Sequence, residues 1–137
     1  MALIVELAAA ADTLDLRGRV LRDGRRHEGF PEDDWPETFH LVARDGGAVV
    51  GVATFIPRDD GWQLRGMAVA PEVQGRGIGR QLLEVGYERL RSLGATVAWA
   101  NGRDTALGFY ERLGWRVVGD GFVMGSGVAH HRIQLDL

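Results

Sequence analysis

Seven consecutive residues concentrate the chain's capacity to hold an anion: Gln74, Gly75, Arg76, Gly77, Ile78, Gly79 and Arg80. Glycines at alternating positions let backbone approach something bulky, and a helix opening directly behind them offers unpaired amides and the positive end of its dipole. Arg76 and Arg80 add mobile guanidinium groups suited to phosphate oxygens. The plainer reading is a glycine-rich connection that only reverses the chain. A P-loop is excluded, because no Lys-Ser or Lys-Thr pair follows. A dinucleotide fingerprint is excluded too, since Arg80 stands where its third glycine belongs and Trp99 where an acidic residue is required.

Other residues of chemical interest are fewer. Tyr110 shares a helical face with Ala106, Phe109 and Leu113, and on that pattern alone it reads as a core tyrosine needing one partner for its hydroxyl. Asn101-Gly102 reads as an Asn-Gly turn. His27 falls in an irregular segment and His40 in a strand, while His130 and His131 are adjacent, so only one of that pair faces a cleft. The histidines have neither helical i, i+4 spacing nor a carboxylate motif beside them, and no metal site is expected. The chain has no cysteine, which excludes disulfides, thiolate metal sites and a cysteine nucleophile.

The elements that position these residues follow from period and punctuation. Residues 3–7 predict a strand, and residues 14–21 a helix capped by Asp12 or Thr13. Residues 23–36 are polar with no period. Phe30 and Trp35 within them predict an ordered loop rather than a tail. Strands over 38–44 and 48–57 are joined by Asp45-Gly46-Gly47, a hairpin signal, and a turn at 58–61 leads into a central strand ending at Ala70 before Pro71. From Ile78 the period changes to that of an amphipathic helix, which closes at Leu93-Gly94. A strand over 95–100 then makes a parallel pair with the central one through a right-handed crossover. A second helix runs from Asp104 or Thr105 to Leu113, and strands over 116–118 and 130–137 flank a glycine-rich stretch. Helices on a mixed, mostly antiparallel sheet result, an α+β arrangement in αβα layers.

With 137 residues, 45% of them hydrophobic and 26% charged, the sequence fits one domain over 1–137 with its own core. A net charge of -3 argues against general binding to nucleic acid or anionic membranes. The N-terminal apolar run lacks a basic leader and contains Glu6, so it reads as a strand rather than a signal peptide. No apolar stretch approaches the roughly 20 residues that span a bilayer. The default location is the cytoplasm.

Gln74, Gly77 and Gly79, written Q-x-x-G-x-G after a strand and flanked by Arg76 and Arg80, resemble the acyl-coenzyme A pyrophosphate loop of the Gcn5-related N-acetyltransferases. The run N-G-R-D-T-A-L-G-F-Y-E-R-L-G-W, residues 101–115, is similar to the C-terminal motif of the same family. The end of the chain looks like a bacterial subgroup of unassigned substrate that reads G-I-P-H. Ala129 stands here where that pattern has proline, and His130 matches.

The resemblance implies the family fold, with its two central parallel strands splayed apart around acetyl-coenzyme A, and direct transfer of the acetyl group to a primary amine of a small molecule or peptide. It implies that Tyr110 protonates the leaving sulfur, that Asn101 contacts the pantetheine or positions the tyrosine helix, and that backbone of Met67, Ala68 and Val69 binds the thioester arm. Many relatives carry a glutamate on the central strand as base or water-holder. Residues 62–70 contain none, and His130, preferred over His40, is the expected substitute. Acetyl-coenzyme A and an amine are the expected partners, with no nucleic acid, membrane or metal, and a homodimer is compatible with the pattern. A different class of answer is a non-catalytic acyl-coenzyme A sensor, which would keep the glycine loop without needing Tyr110.

Overall fold

The computed structural model describes residues 2–125 and 127–137. Seven strands form one sheet in the order β1-β2-β3-β4-β5-β7-β6. β1 (Leu3–Ala8), β2 (Phe39–Asp45), β3 (Ala48–Arg58) and β4 (Gly61–Val69) are antiparallel neighbours. β5 (Val97–Arg103) joins β4 in parallel, and β7 (Val128–Asp136) then pairs antiparallel with both β5 and the outer strand β6 (Arg116–Met124).

Alternation along β3 assigns the two helical layers. Phe55 turns to α2 (Ile78–Ser92), where Gly86 leaves room for its ring, while Thr54 turns the other way and meets Arg17 of α1 (Leu14–Leu21). Leu82, Leu83 and Leu90 of α2 are fully buried against the first face, beside the stacked pair Phe39 and Phe55. Trp115 donates from Nε1 to the Tyr87 hydroxyl at 2.7 Å, which satisfies a core tyrosine.

The other face is held by a buried ion pair. Arg17 is 0% exposed and donates from Nη1 and Nη2 to both Asp33 carboxylate oxygens, at 2.7 and 3.0 Å, and from Nη2 to Thr54 Oγ1 at 2.6 Å. His40 completes the network. A backbone carbonyl can only accept, so Nε2 donates to the Asp33 carbonyl and Nδ1 accepts from the Thr54 hydroxyl, at 3.2 and 2.8 Å. Residues 23–36 are thereby an ordered loop with a 3₁₀ turn, Pro31–Asp34, at its pinned end.

Burial alone would push the Asp33 carboxyl up, but the Arg17 guanidinium and the Phe30 amide outweigh it and hold the group below the usual carboxylate range. A folded value below the unfolded one means that the stabilisation is present above the unfolded pKa of about 3.9 and is lost as pH falls through the folded value. Arg17→Met leaves a buried carboxylate without its cation and should destabilise the fold by about 3–5 kcal/mol at neutral pH. Urea midpoints check this. The gap to wild type should narrow below about pH 4, where a protonated Asp33 no longer lacks a counter-charge.

Several sequence expectations need correction. Of the two expected caps, Thr13 and not Asp12 stands at the N-cap of α1, but without a side-chain cap bond: a 3₁₀ turn, Ala10–Thr13, precedes the helix, Asp12 accepts from the Ala9 amide, and the Thr13 hydroxyl donates to the Ala10 carbonyl. β5 does not end at Asn101 but continues to Arg103, because β7 supplies a ladder partner for each residue. The second helix is shorter than expected, a 3₁₀ turn Asp104–Ala106 followed by α3 (Leu107–Arg112). Most of the glycine-rich stretch after Val118 is strand: β6 absorbs Gly119, Asp120 and Gly121 in a register shift and resumes pairing at Phe122. No helix is long and apolar enough to cross a membrane among the described residues.

Candidate active site

β4 and β5 pair only at Trp62–Ala98 and Gln63–Trp99, although the strands have nine and seven residues. The cause lies in β4. Gly66 has φ +65, and the register with β3 slips there, so that Gly66 and Met67 together face Ala53. A Cβ on Gly66 would come within 2.8 Å of Arg17 Nε and 2.9 Å of the Phe30 ring, so both conformation and space require glycine. The bulge bends β4 away from β5 and opens a cleft of about 590 Å3.

Backbone polarity of β4 within the cleft follows from the ladder. The Ala70 amide donates to the Val50 carbonyl at 2.9 Å, so by alternation Ala68 also points to β3, and Met67 and Val69 point to the open side. The Ala68 amide is therefore used by the sheet, and the free donors are those of Met67 and Val69. The Gln74 side chain ties the loop back to the strand by donating from Nε2 to the Val69 carbonyl at 3.1 Å.

Beyond that tether the chain enters α2 through Gly75 and Gly77, at φ +81 and +78, and a Cβ on either would meet no atom within 4 Å. The Ile78, Gly79 and Arg80 amides stand in the first turn of α2, where no intrahelical acceptor exists. Gly79 itself faces inward, packed between Met67 and Phe109. Arg76 is exposed, and Arg80 Nε donates to Glu84 at 2.9 Å. An open cradle of amides at a helix start fits a pyrophosphate.

Met67, Gln74, Asn101, Tyr110 and His130 all line the one cleft. Tyr110 donates from its hydroxyl to Met67 Sδ at 3.5 Å, so the phenol is aimed across the splay at β4. Burial pushes its pKa above the ordinary value, with Tyr87 adding to the effect. Tyr87 is also raised, to about 12, by burial, but it lies outside the cleft and accepts from Trp115. His130 donates from Nδ1 to the Val128 carbonyl at 2.8 Å and stacks on Phe122, which makes Nε2 the lone-pair acceptor of the neutral ring. His131 points elsewhere and donates to Asp104 at 2.7 Å. His40 belongs to the Arg17 network and does not line the cleft. Among the described residues, no three histidine, aspartate or glutamate side chains converge as a metal site would need.

The profile of the Acetyltransferase (GNAT) family matches residues 10–115. The chain belongs to this family. It is an acetyl-coenzyme A-dependent N-acetyltransferase, and the sensor alternative finds no support. The chain is 28% identical to the uncharacterised N-acetyltransferase YitI of Bacillus subtilis (strain 168), over 95% of this chain and 93% of that one. The same fold is seen in an acyl-coenzyme A N-acyltransferase from Pseudomonas aeruginosa, with TM-score 0.81, 19% identity and coverage of 97% and 99% of the two chains. An aminoglycoside 6'-N-acetyltransferase solved with coenzyme A gives TM-score 0.82 at 18% identity, covering 97% and 96%.

The acetyltransferase has site features that sequence reading passed over. Gly66 is one, although a lone glycine inside a strand pattern is a bulge signal. Arg22, Arg103 and Met124 also line the cleft and carry no motif of their own. Phe30 anchors the loop 23–36 between the Arg17 and Arg65 guanidinium groups, which lie 4.4 and 3.9 Å from its ring centre. Trp35, the other expected anchor, is largely exposed and contacts Arg58 instead.

Proposed function

We propose that this acetyltransferase passes the acetyl group directly to a primary amine of a small molecule or peptide held in the cleft beside β4. The observation that carries the reading is the placement of Met67, Asn101, Tyr110 and His130 on one cleft at the splay, next to the glycine cradle. Acetyl-coenzyme A supplies an acyl group activated as a thioester. The loop with Gln74, Gly75, Arg76, Gly77, Ile78, Gly79 and Arg80 would hold its pyrophosphate, and the Val69 amide and Asn101 its pantetheine arm.

Each remaining role belongs to a group of this chain. The Met67 amide, free on the open side of β4, donates to the carbonyl oxygen as charge develops there. His130 Nε2 receives the proton that the amine nitrogen sheds, through a water, as the new N–C bond forms and the C–S bond breaks. Tyr110 donates toward the departing sulfur. Coenzyme A release measured against a panel of primary amines tests the reaction, and release with none of them would end this reading.

His130 has its own test. Its imidazole must offer a lone pair to accept a proton, so kcat/KM should show an acidic limb of one group. His130→Ala should remove that acidic limb and lower kcat/KM by roughly 10–100-fold. Retention of both the limb and the rate would exclude His130 from proton transfer.

A further inference from the structure

The cleft wall has charge of one sign. Arg22, Arg65 and Arg103 line it with His27 and His130, and among the described residues no aspartate or glutamate does. Glu32 stands behind Arg65, but Arg58 shares it, so two guanidinium groups meet one carboxylate. Among the described residues neither Arg22 nor Arg103 forms an ion pair, and both are exposed to the cleft's solvent. Arg103 Nη2 donates only to the Leu21 carbonyl, at 3.4 Å, which carries its guanidinium from the end of β5 toward the end of α1.

Register then relates this charge to the proposed chemistry. Arg103 and His130 are direct cross-strand partners of β5 and β7, so their side chains leave the same face of the sheet. An anion on Arg103 and an amine addressed by His130 would therefore share one face of the cleft. Burial first, then the Arg17 and Arg22 guanidinium groups, hold the His27 imidazole below its ordinary value, with Asp33 opposing. Such a cleft has no counter-charge for an ammonium group and disfavours polycations. It also favours the neutral, nucleophilic form of an amine, which bears on the missing glutamate of β4.

We infer that the acceptor of this acetyltransferase is a primary amine that also carries a carboxylate, held by Arg103 with Arg22. This rests on the amine acetylation proposed above and narrows its substrate class to amino acids and short aminoalkyl carboxylates. The acceptor named for the aminoglycoside 6'-N-acetyltransferase is of the opposite kind, a polycation.

The test compares glycine, β-alanine and γ-aminobutyrate with their own amides, and with putrescine and kanamycin, by coenzyme A release. Rates are expressed per neutral amine so that differences in amine pKa do not count. The carboxylates should exceed their amides in kcat/KM by about 10-fold or more, the size of one charge-assisted hydrogen bond. Arg103→Gln, a change at an exposed position checked for folding by circular dichroism, should remove most of that preference through KM for the carboxylate amines. Arg22→Gln in the same chain should remove the rest. Equal or faster turnover of putrescine or kanamycin overturns the inference alone, as does a preference that survives the double variant or a loss that falls on KM for acetyl-coenzyme A. Failure of every amine to release coenzyme A overturns the proposed reaction and this inference with it.

Discussion

Gly77→Asp should reduce coenzyme A affinity by at least about 100-fold, because it sets a carboxylate among the amides proposed to hold the pyrophosphate. The position has φ +78, and a Cβ there meets no protein atom within 4 Å, so the new side chain starts from the open side of the cradle. Two effects act together. A non-glycine residue in the left-handed region costs about 1–2 kcal/mol, less for aspartate and asparagine, which tolerate it best. Bringing like charges together costs several kcal/mol, and each 1.4 kcal/mol is about tenfold in affinity. Gly77→Asn separates them, since it has the same shape and backbone preference without the charge. Calorimetric titration with coenzyme A should therefore rank wild type, then Asn, then Asp, with the larger step between the two variants. A folded Gly77→Asp chain that binds coenzyme A like wild type would remove the loop from the coenzyme site.

The loop was legible because its signal is local. A strand stopped by Pro71, alternating glycines and the change to helical period at Ile78 all occur within residues 64–93, and α2 starts at Ile78 as that change predicts. The meander β2–β3–β4 was legible for the same reason, since Asp45-Gly46-Gly47 fixes a hairpin by turn chemistry alone. What the sequence did not reveal depends on pairing. β5 runs past Asn101 only because β7 lies beside it, and β6 keeps its glycines in the sheet only by a register shift against β7. Neither partnership leaves a mark at short range.

The same distinction separates the two tyrosines. Tyr87 and Tyr110 both fall on apolar helical faces, and period gives each the same core reading. Packing divides them: Trp115 donates to the Tyr87 hydroxyl, whereas the Tyr110 hydroxyl has only a thioether to donate to. Arg103 is a further case, unremarkable in a strand-end sequence until register sets it opposite His130.

Tyr110→Phe should lower kcat by roughly 100-fold while leaving KM for acetyl-coenzyme A nearly unchanged, because the hydroxyl is needed only when negative charge reaches the sulfur. The ring stays, and with it the contacts to Phe109 and Trp115 at centroid distances of 5.1 and 5.5 Å, so the fold should not suffer. The hydroxyl's hydrogen bond in the resting site is to Met67 Sδ, a weak acceptor, and its loss is small. Burial raises the phenol's pKa, which has two consequences of opposite sign. The donor stays protonated throughout the neutral and alkaline range in which the amine is reactive, yet it is a weaker acid than a free phenol. Its effect should then come chiefly from a hydrogen bond donated within a desolvated cleft, which gains strength there because little water competes. Single-turnover rates measured in wild type and Tyr110→Phe across pH distinguish this from a structural role. A uniform loss in kcat with an unshifted acidic limb assigns Tyr110 to the sulfur and leaves the limb to His130, whereas near-normal turnover would make it a core residue like Tyr87.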